Sequence, residues 1–100
     1  MPKLVVSSCQ RIKVTVVGLK GDQFRILEYL LSDFLVDVRP LSPKDLLRRP
    51  TLGGFIFLTR FTNHKHSQHA ETVAPGRVVR VNHGAAHSLF HAIVNFFELS

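Results

Sequence analysis

Asn63-His64-Lys65-His66-Ser67-Gln68-His69 places three imidazoles, an ammonium and three neutral hydrogen-bonding side chains in one short run. A helix that begins this way is polar nearly all round, in a chain that is 45% hydrophobic, and such a segment requires water or a partner. Asn63 suits an N-cap, because its short side chain can accept from the first free amides of a helix. His64 and Lys65 then fall in the first turn, where the positive end of the helix dipole favours acids. Cations are reasonable there when an anion sits between them and the free amides.

The same imidazoles invite a metal reading, as His64-x-His66-x-x-His69 and as His87-x-x-x-His91. Thiolates and nearby carboxylates are missing from both, and His87, His91, Asn95 and Glu98 form the polar stripe of a helix, so the metal reading is disfavoured. Enzyme signatures are equally thin. Asp22, Asp33, Asp37 and Asp45 stand in separate segments, and no serine occupies a nucleophile elbow. His83 or His64 would be the candidate general base if the region were an active site; a structural or ligand-orienting role is the simpler reading. Gly18-Leu19-Lys20-Gly21 lacks the full glycine pattern of dinucleotide sites and of the P-loop. Those glycines either admit a ligand's anionic group or merely let the chain turn.

Something must hold these residues in place, and the chain reads as alternating strands and helices. Ile12-Lys13-Val14-Thr15-Val16-Val17 is β-branched and ends at Gly18, which suits an interior strand. Leu4 to Ser7 forms a tail or a short extra strand, so residues 1–11 stand apart from one domain over 12–100. Phe24, Leu27, Leu31, Phe34 and Leu35 share one helical stripe, with Asp22 as its N-cap. Val36 to Arg39 is a second strand, stopped by Pro40. Ser42-Pro43 caps and opens a brief helix through Leu46, Leu47 and Arg48.

Gly54 to Thr59 is the most continuously apolar run and suits a central parallel strand. A polar helix from His64 to about Thr72 follows. Arg77 to Val81 is the fourth strand, and Gly84 opens a last helix with Ala86, Phe90, Ile93, Val94 and Phe97 inward. Alternating βα units imply a parallel sheet with helices on both faces, because strand-helix-strand crossovers are right-handed. The expected fold is an α/β three-layer Rossmann-like sandwich with strand order 2-1-3-4.

Ligands of such sheets bind outside the carboxyl ends of the strands, at the point where strand order reverses. The residues that follow each strand are therefore the candidate ligand-binding set: Gly18 and Lys20 after the first, Arg39 after the second, Thr59, Asn63, His64 and Lys65 after the third, and Asn82, His83 and Gly84 after the fourth. The formal charge of +6 biases partners toward phosphates, nucleotides, nucleic acid or acidic protein. A single cysteine, Cys9, excludes an intrachain disulfide and reads as a small packed residue. No apolar run reaches the roughly 18 residues of a membrane span, and no secretory signal is legible, so a cytoplasmic location is expected.

Gly53-Gly54-Phe55-Ile56-Phe57-Leu58-Thr59-Arg60-Phe61-Thr62-Asn63-His64-Lys65-His66, followed by Arg77-Val78-Val79-Arg80-Val81-Asn82-His83-Gly84, resembles a bacterial Rossmann-like family, domain of unknown function twenty-three twenty-five. The likeness covers about residues 12 to 97, with Asn63-His64 on the family's Ser/Asn-His step and Gly84 on its turn glycine. Gly53-Gly54 stand where its members often carry an acid. The resemblance implies a bacterial cytoplasmic protein with no established catalysis.

The residues together point to a small binding or regulatory module that holds a phosphate-bearing small molecule or nucleotide at its strand ends. Nucleic-acid binding is the first rival, supported by charge but without exposed aromatic platforms, and an enzyme of phosphorylated substrates is the second. Leu89, Phe90, Phe96 and Phe97 make the last helix apolar over more than one stripe, so a homodimer through it is expected. The identity of any cofactor is left open.

Overall fold

A computed structural model describes residues 11–99. The Leu4–Ser7 segment and Cys9 lie outside the described residues. Strands β1 (Ile12–Val17), β2 (Val36–Leu41), β3 (Phe55–Leu58) and β4 (Val78–Arg80) alternate with helices α1 (Gly21–Leu30), α2 (Pro43–Leu46), α3 (His64–Val73) and α4 (Ala86–Phe96). All strand pairs are parallel and the order is β2-β1-β3-β4. This is the α/β sandwich and strand order that the alternating pattern predicts.

Side-chain alternation divides the core into two clusters, one on each face of the sheet. Val14, Val16, Val36, Val38 and Phe57 pack with Phe24 and Leu27 of α1 and with Ala86, Leu89 and Ile93 of α4. Val17, Ile56 and Leu58 pack with Leu46 of α2 and with Ala70 and Val73 of α3. β3 is buried on both faces, Ile56, Phe57 and Leu58 being fully enclosed, as its unbroken apolar run requires.

Several local expectations are corrected. Pro40 does not stop β2, which runs on to Leu41. The amide of Ile12 donates to the Leu35 carbonyl and that of Gly18 to the Leu41 carbonyl. In the parallel register between them, odd-numbered residues of β2 turn their backbone groups to β1 and even-numbered ones turn them outward. Pro40, opposite Val16, is even, so its missing N–H falls on the outer side of β2, which is an edge strand among the described residues, the position where proline is tolerated.

α1 begins at Gly21, so Asp22 lies in its first turn and Lys20 is the N-cap residue. Its helical ladder ends at Leu30. The stripe therefore turns away before Leu35, which is 45% exposed, while Phe34 still reaches the Phe90 ring at 5.8 Å. α4 begins at Ala86 rather than Gly84. Leu89, absent from the inward set that the sequence suggests, is fully buried between α4 and the sheet. Among the described residues, no helix is long and apolar enough to cross a membrane.

Candidate functional site

Four helix N-termini lie at the strand ends, and each leaves amides that the helix itself cannot satisfy. Three have side-chain partners. Ser42 Oγ accepts from the Asp45 amide at 3.0 Å and caps α2. At α3, Asn63 Oδ1 accepts from the His66 amide at 3.2 Å, and His66 Nδ1 accepts from the Asn63 amide at 3.0 Å, a reciprocal capping box. At α4, Ala85 provides no cap, and Gln23 reaches across from α1 so that its Oε1 accepts from the Ala86 amide at 2.9 Å. At α1, the N-cap residue Lys20 is extended and makes no side-chain cap hydrogen bond.

Next to Lys20, a cleft of about 470 Å³ lies outside the ends of β1 and β2. Gly18, Lys20, Ser42, Asp45 and Arg49 supply its polar lining, and Leu19, Pro40, Leu41 and Pro43 its apolar one. Lys20 and Arg49 are both exposed. Two backbone hydrogen bonds fix the position of Arg49: its amide donates to the Leu46 carbonyl at 3.1 Å, and its carbonyl meets His69 Nε2 at 2.9 Å. Ser42 Oγ uses a lone pair for the cap, which leaves its O–H as a donor.

The candidate residues divide between two halves of the rim. Gly18 and Lys20 line the cleft, and Arg39 is reached from it through Pro40, Leu41 and Arg49. Gly18, at φ 89°, is held there by the protein itself, since a Cβ would lie 2.7 Å from Thr59 Oγ1. Thr59 is buried, and its hydroxyl donates to the Val17 carbonyl at 2.8 Å. It ties β3 to the end of β1.

Asn63, His64 and Lys65 lie at the start of α3, and Asn82, His83 and Gly84 beyond the end of β4; none of the six lines the cleft. Asn63 is occupied as a cap. His64 Nε2 meets the Gln68 side chain at 3.0 Å, while His66 and His69 turn to the Asn63 amide and the Arg49 carbonyl. The three imidazoles do not converge, and no group of three His, Cys, Asp or Glu placed to hold a metal occurs among the described residues. The His83 carbonyl accepts from the Arg60 amide at 3.1 Å, joining the β3 and β4 ends.

Phe61 occupies the reversal point between β1 and β3, where the sequence directs attention first. Its Cβ lies 3.4 Å from where a Gly18 side chain would begin, and its ring edge lies 2.5 Å from the corresponding position at Gly84. The glycines thus make room for this ring. Phe61 is 48% exposed, and the Arg60 guanidinium stands 5.5 Å from its centroid, so the rim carries one aromatic platform that composition did not reveal. With the crevice filled, the open cavity is displaced to the β1–β2 side. Arg49 and Ser42 are the site residues that the sequence reading missed as such; both lie in the connection from β2 to β3, where only a capping role was legible.

Comparison with family models, with curated proteins and with solved structures yields no match.

Proposed function

We propose that the protein is a binding module that holds a phosphate-bearing small molecule or nucleotide in the cleft outside β1 and β2. The observation that carries this reading is the cleft itself, which lies beside the N-cap residue of α1 and is flanked by the exposed cations Lys20 and Arg49. A phosphate there accepts from the Ser42 hydroxyl and from the two cations. Charge-assisted bonds of this kind are about twice as strong as neutral ones. Asp45, also in the lining, disfavours a highly charged anion close to α2. The imidazoles of α3 are left outside the ligand set.

Titration calorimetry with inorganic phosphate and adenosine 5′-monophosphate tests the reading. Saturable binding that falls about tenfold in each of Lys20→Ala and Arg49→Ala, the equivalent of about 1.4 kcal/mol, supports it. An absence of saturation up to about 10 mM, on the weak side of millimolar affinity, or binding indifferent to both variants, overturns it. Nucleic-acid binding is less well supported, because single strands are held by successive aromatic platforms and only Phe61 offers one at the rim. A cytoplasmic location and membership of the Rossmann-like family that Gly53–His66 resembles belong to the same proposal. So does self-association through α4, for which half-exposed Phe96 is the available anchor; sedimentation at high concentration that shows only monomer removes that part.

A further inference from the structure

The connection from β2 to β3 contains a single helical turn, α2, followed by an irregular segment from Leu47 to Gly54. One turn cannot cover a sheet face. The face that carries α2 and α3 is therefore covered over β3, by Ala70 and Val73 on Ile56 and Leu58, and no described residue covers it over the first halves of β1 and β2. A groove of about 490 Å³ runs along that stretch, floored by Lys13, Thr15, Asp37 and Arg39 and walled by Arg49, Leu52 and Gly53. The period-two alternation of strands puts Lys13 and Thr15 on one side of β1, and pairing places Lys13 beside Asp37 and Thr15 beside Arg39.

This groove and the rim cleft share Pro40, Leu41 and Arg49, so they form one continuous trough with Arg49 at its middle. Lys13, Lys20, Arg39 and Arg49 line it, against the carboxylates of Asp37 and Asp45. The Arg39–Asp37 contact is long, at 3.5 Å, and the Arg39 side chain is 72% exposed. A pair that loose contributes little and leaves the guanidinium available. Along β1, Gly18 is three residue steps beyond Thr15, which at about 3.3 Å per step sets the groove's centre roughly 10 Å from the rim.

Resting on the anion reading of the rim, we infer that the open sheet face is a second anionic subsite, and that the ligand is a bis-phosphorylated small molecule lying along the trough. One phosphate sits in the rim cleft between Lys20 and Arg49. The other, roughly 10 Å away, sits over Thr15 between Lys13 and Arg39, and the spacer passes Arg49. Electrostatic complementarity selects such a ligand over a singly charged one, because each end meets cations and the middle meets the apolar edges of Pro40 and Leu41.

The test titrates the wild-type chain and a Lys13→Ala/Arg39→Ala double variant with inorganic phosphate, fructose 6-phosphate and fructose 1,6-bisphosphate. Both substituted side chains are exposed, and an unchanged thermal midpoint verifies the variant's fold. Tighter binding of the bisphosphate than of the monophosphate by about tenfold or more in the wild type, levelled in the double variant with phosphate affinity intact, supports the inference. Equal affinity for the two sugars, or a double variant that weakens all three probes alike, overturns it and leaves the rim reading standing. Failure of all three probes to bind the wild type overturns both.

Discussion

Replacing Gln23 tests whether α1 and α4 are held together by a hydrogen bond across the helix layer. Gln23 lies in the first turn of α1, and its Oε1 accepts from the Ala86 amide at 2.9 Å, with no side-chain cap from Ala85 to substitute for it. Ala86 is fully buried, so water is a poor replacement. Loss of a cap costs about 1 kcal/mol, and a buried donor left unmet costs about 1–3 kcal/mol. Gln23→Ala should therefore lower stability by about 1–2 kcal/mol, a fall of roughly 4 °C or more in Tm for a domain of this size. Gln23→Leu keeps the bulk and removes the acceptor, and should cost nearly as much. Gln23→Glu keeps the acceptor and adds a negative charge near two helix N-termini, and should be neutral or gain about 0.5 kcal/mol. Urea unfolding gives the free energies, and exchange of the Ala86 amide gives the local readout. A Leu variant as stable as wild type, with slow exchange at Ala86, refutes the cap and makes the contact one of packing.

Three further outcomes are expected. Leu89→Ala, which empties a fully buried site between α4 and the sheet, should cost about 2–5 kcal/mol in urea unfolding. Asn63→Ala removes the side-chain half of the α3 capping box and should cost about 1 kcal/mol while leaving phosphate affinity unchanged by titration. Thr59→Val deletes the buried donation to the Val17 carbonyl and should cost about 1–2 kcal/mol, with faster amide exchange at Gly18.

The architecture was legible because β-branched and apolar runs recur in alternation with helical segments, and handedness leaves few ways to arrange them. The misses have local causes. Pro40 reads as a breaker unless it is known that β2 is an edge and that position 40 faces outward. Leu89 and Phe96 are equivalent by composition, and only the seating of α4 on the sheet separates the buried side chain from the half-exposed one. The open groove had a signal. Ile12, Val14 and Val16 alternate with Lys13 and Thr15, which marks one polar face, but the β-branched run as a whole reads as an interior strand with apolar side chains on both faces. The candidate site was legible as a rim and not as a place on it, because the filling of the β1–β3 crevice by Phe61 and the capping of α4 by Gln23 join residues far apart in the chain.

The outward row of β2 bears on how this protein behaves when crowded. Of its three even-numbered positions, Val36 accepts at its carbonyl from the Arg11 guanidinium at 3.0 Å, Pro40 has no amide to give, and among the described residues only Val38 retains a complete outward pair. A growing cross-β stack needs consecutive donors and acceptors along an edge, and a single complete pair cannot template one. Pro40 thus acts as a gatekeeper against fibrillar aggregation. Pro40→Thr together with Arg11→Ala would restore a usable row, and thioflavin fluorescence on prolonged agitation should rise in that variant before it rises in the parent chain.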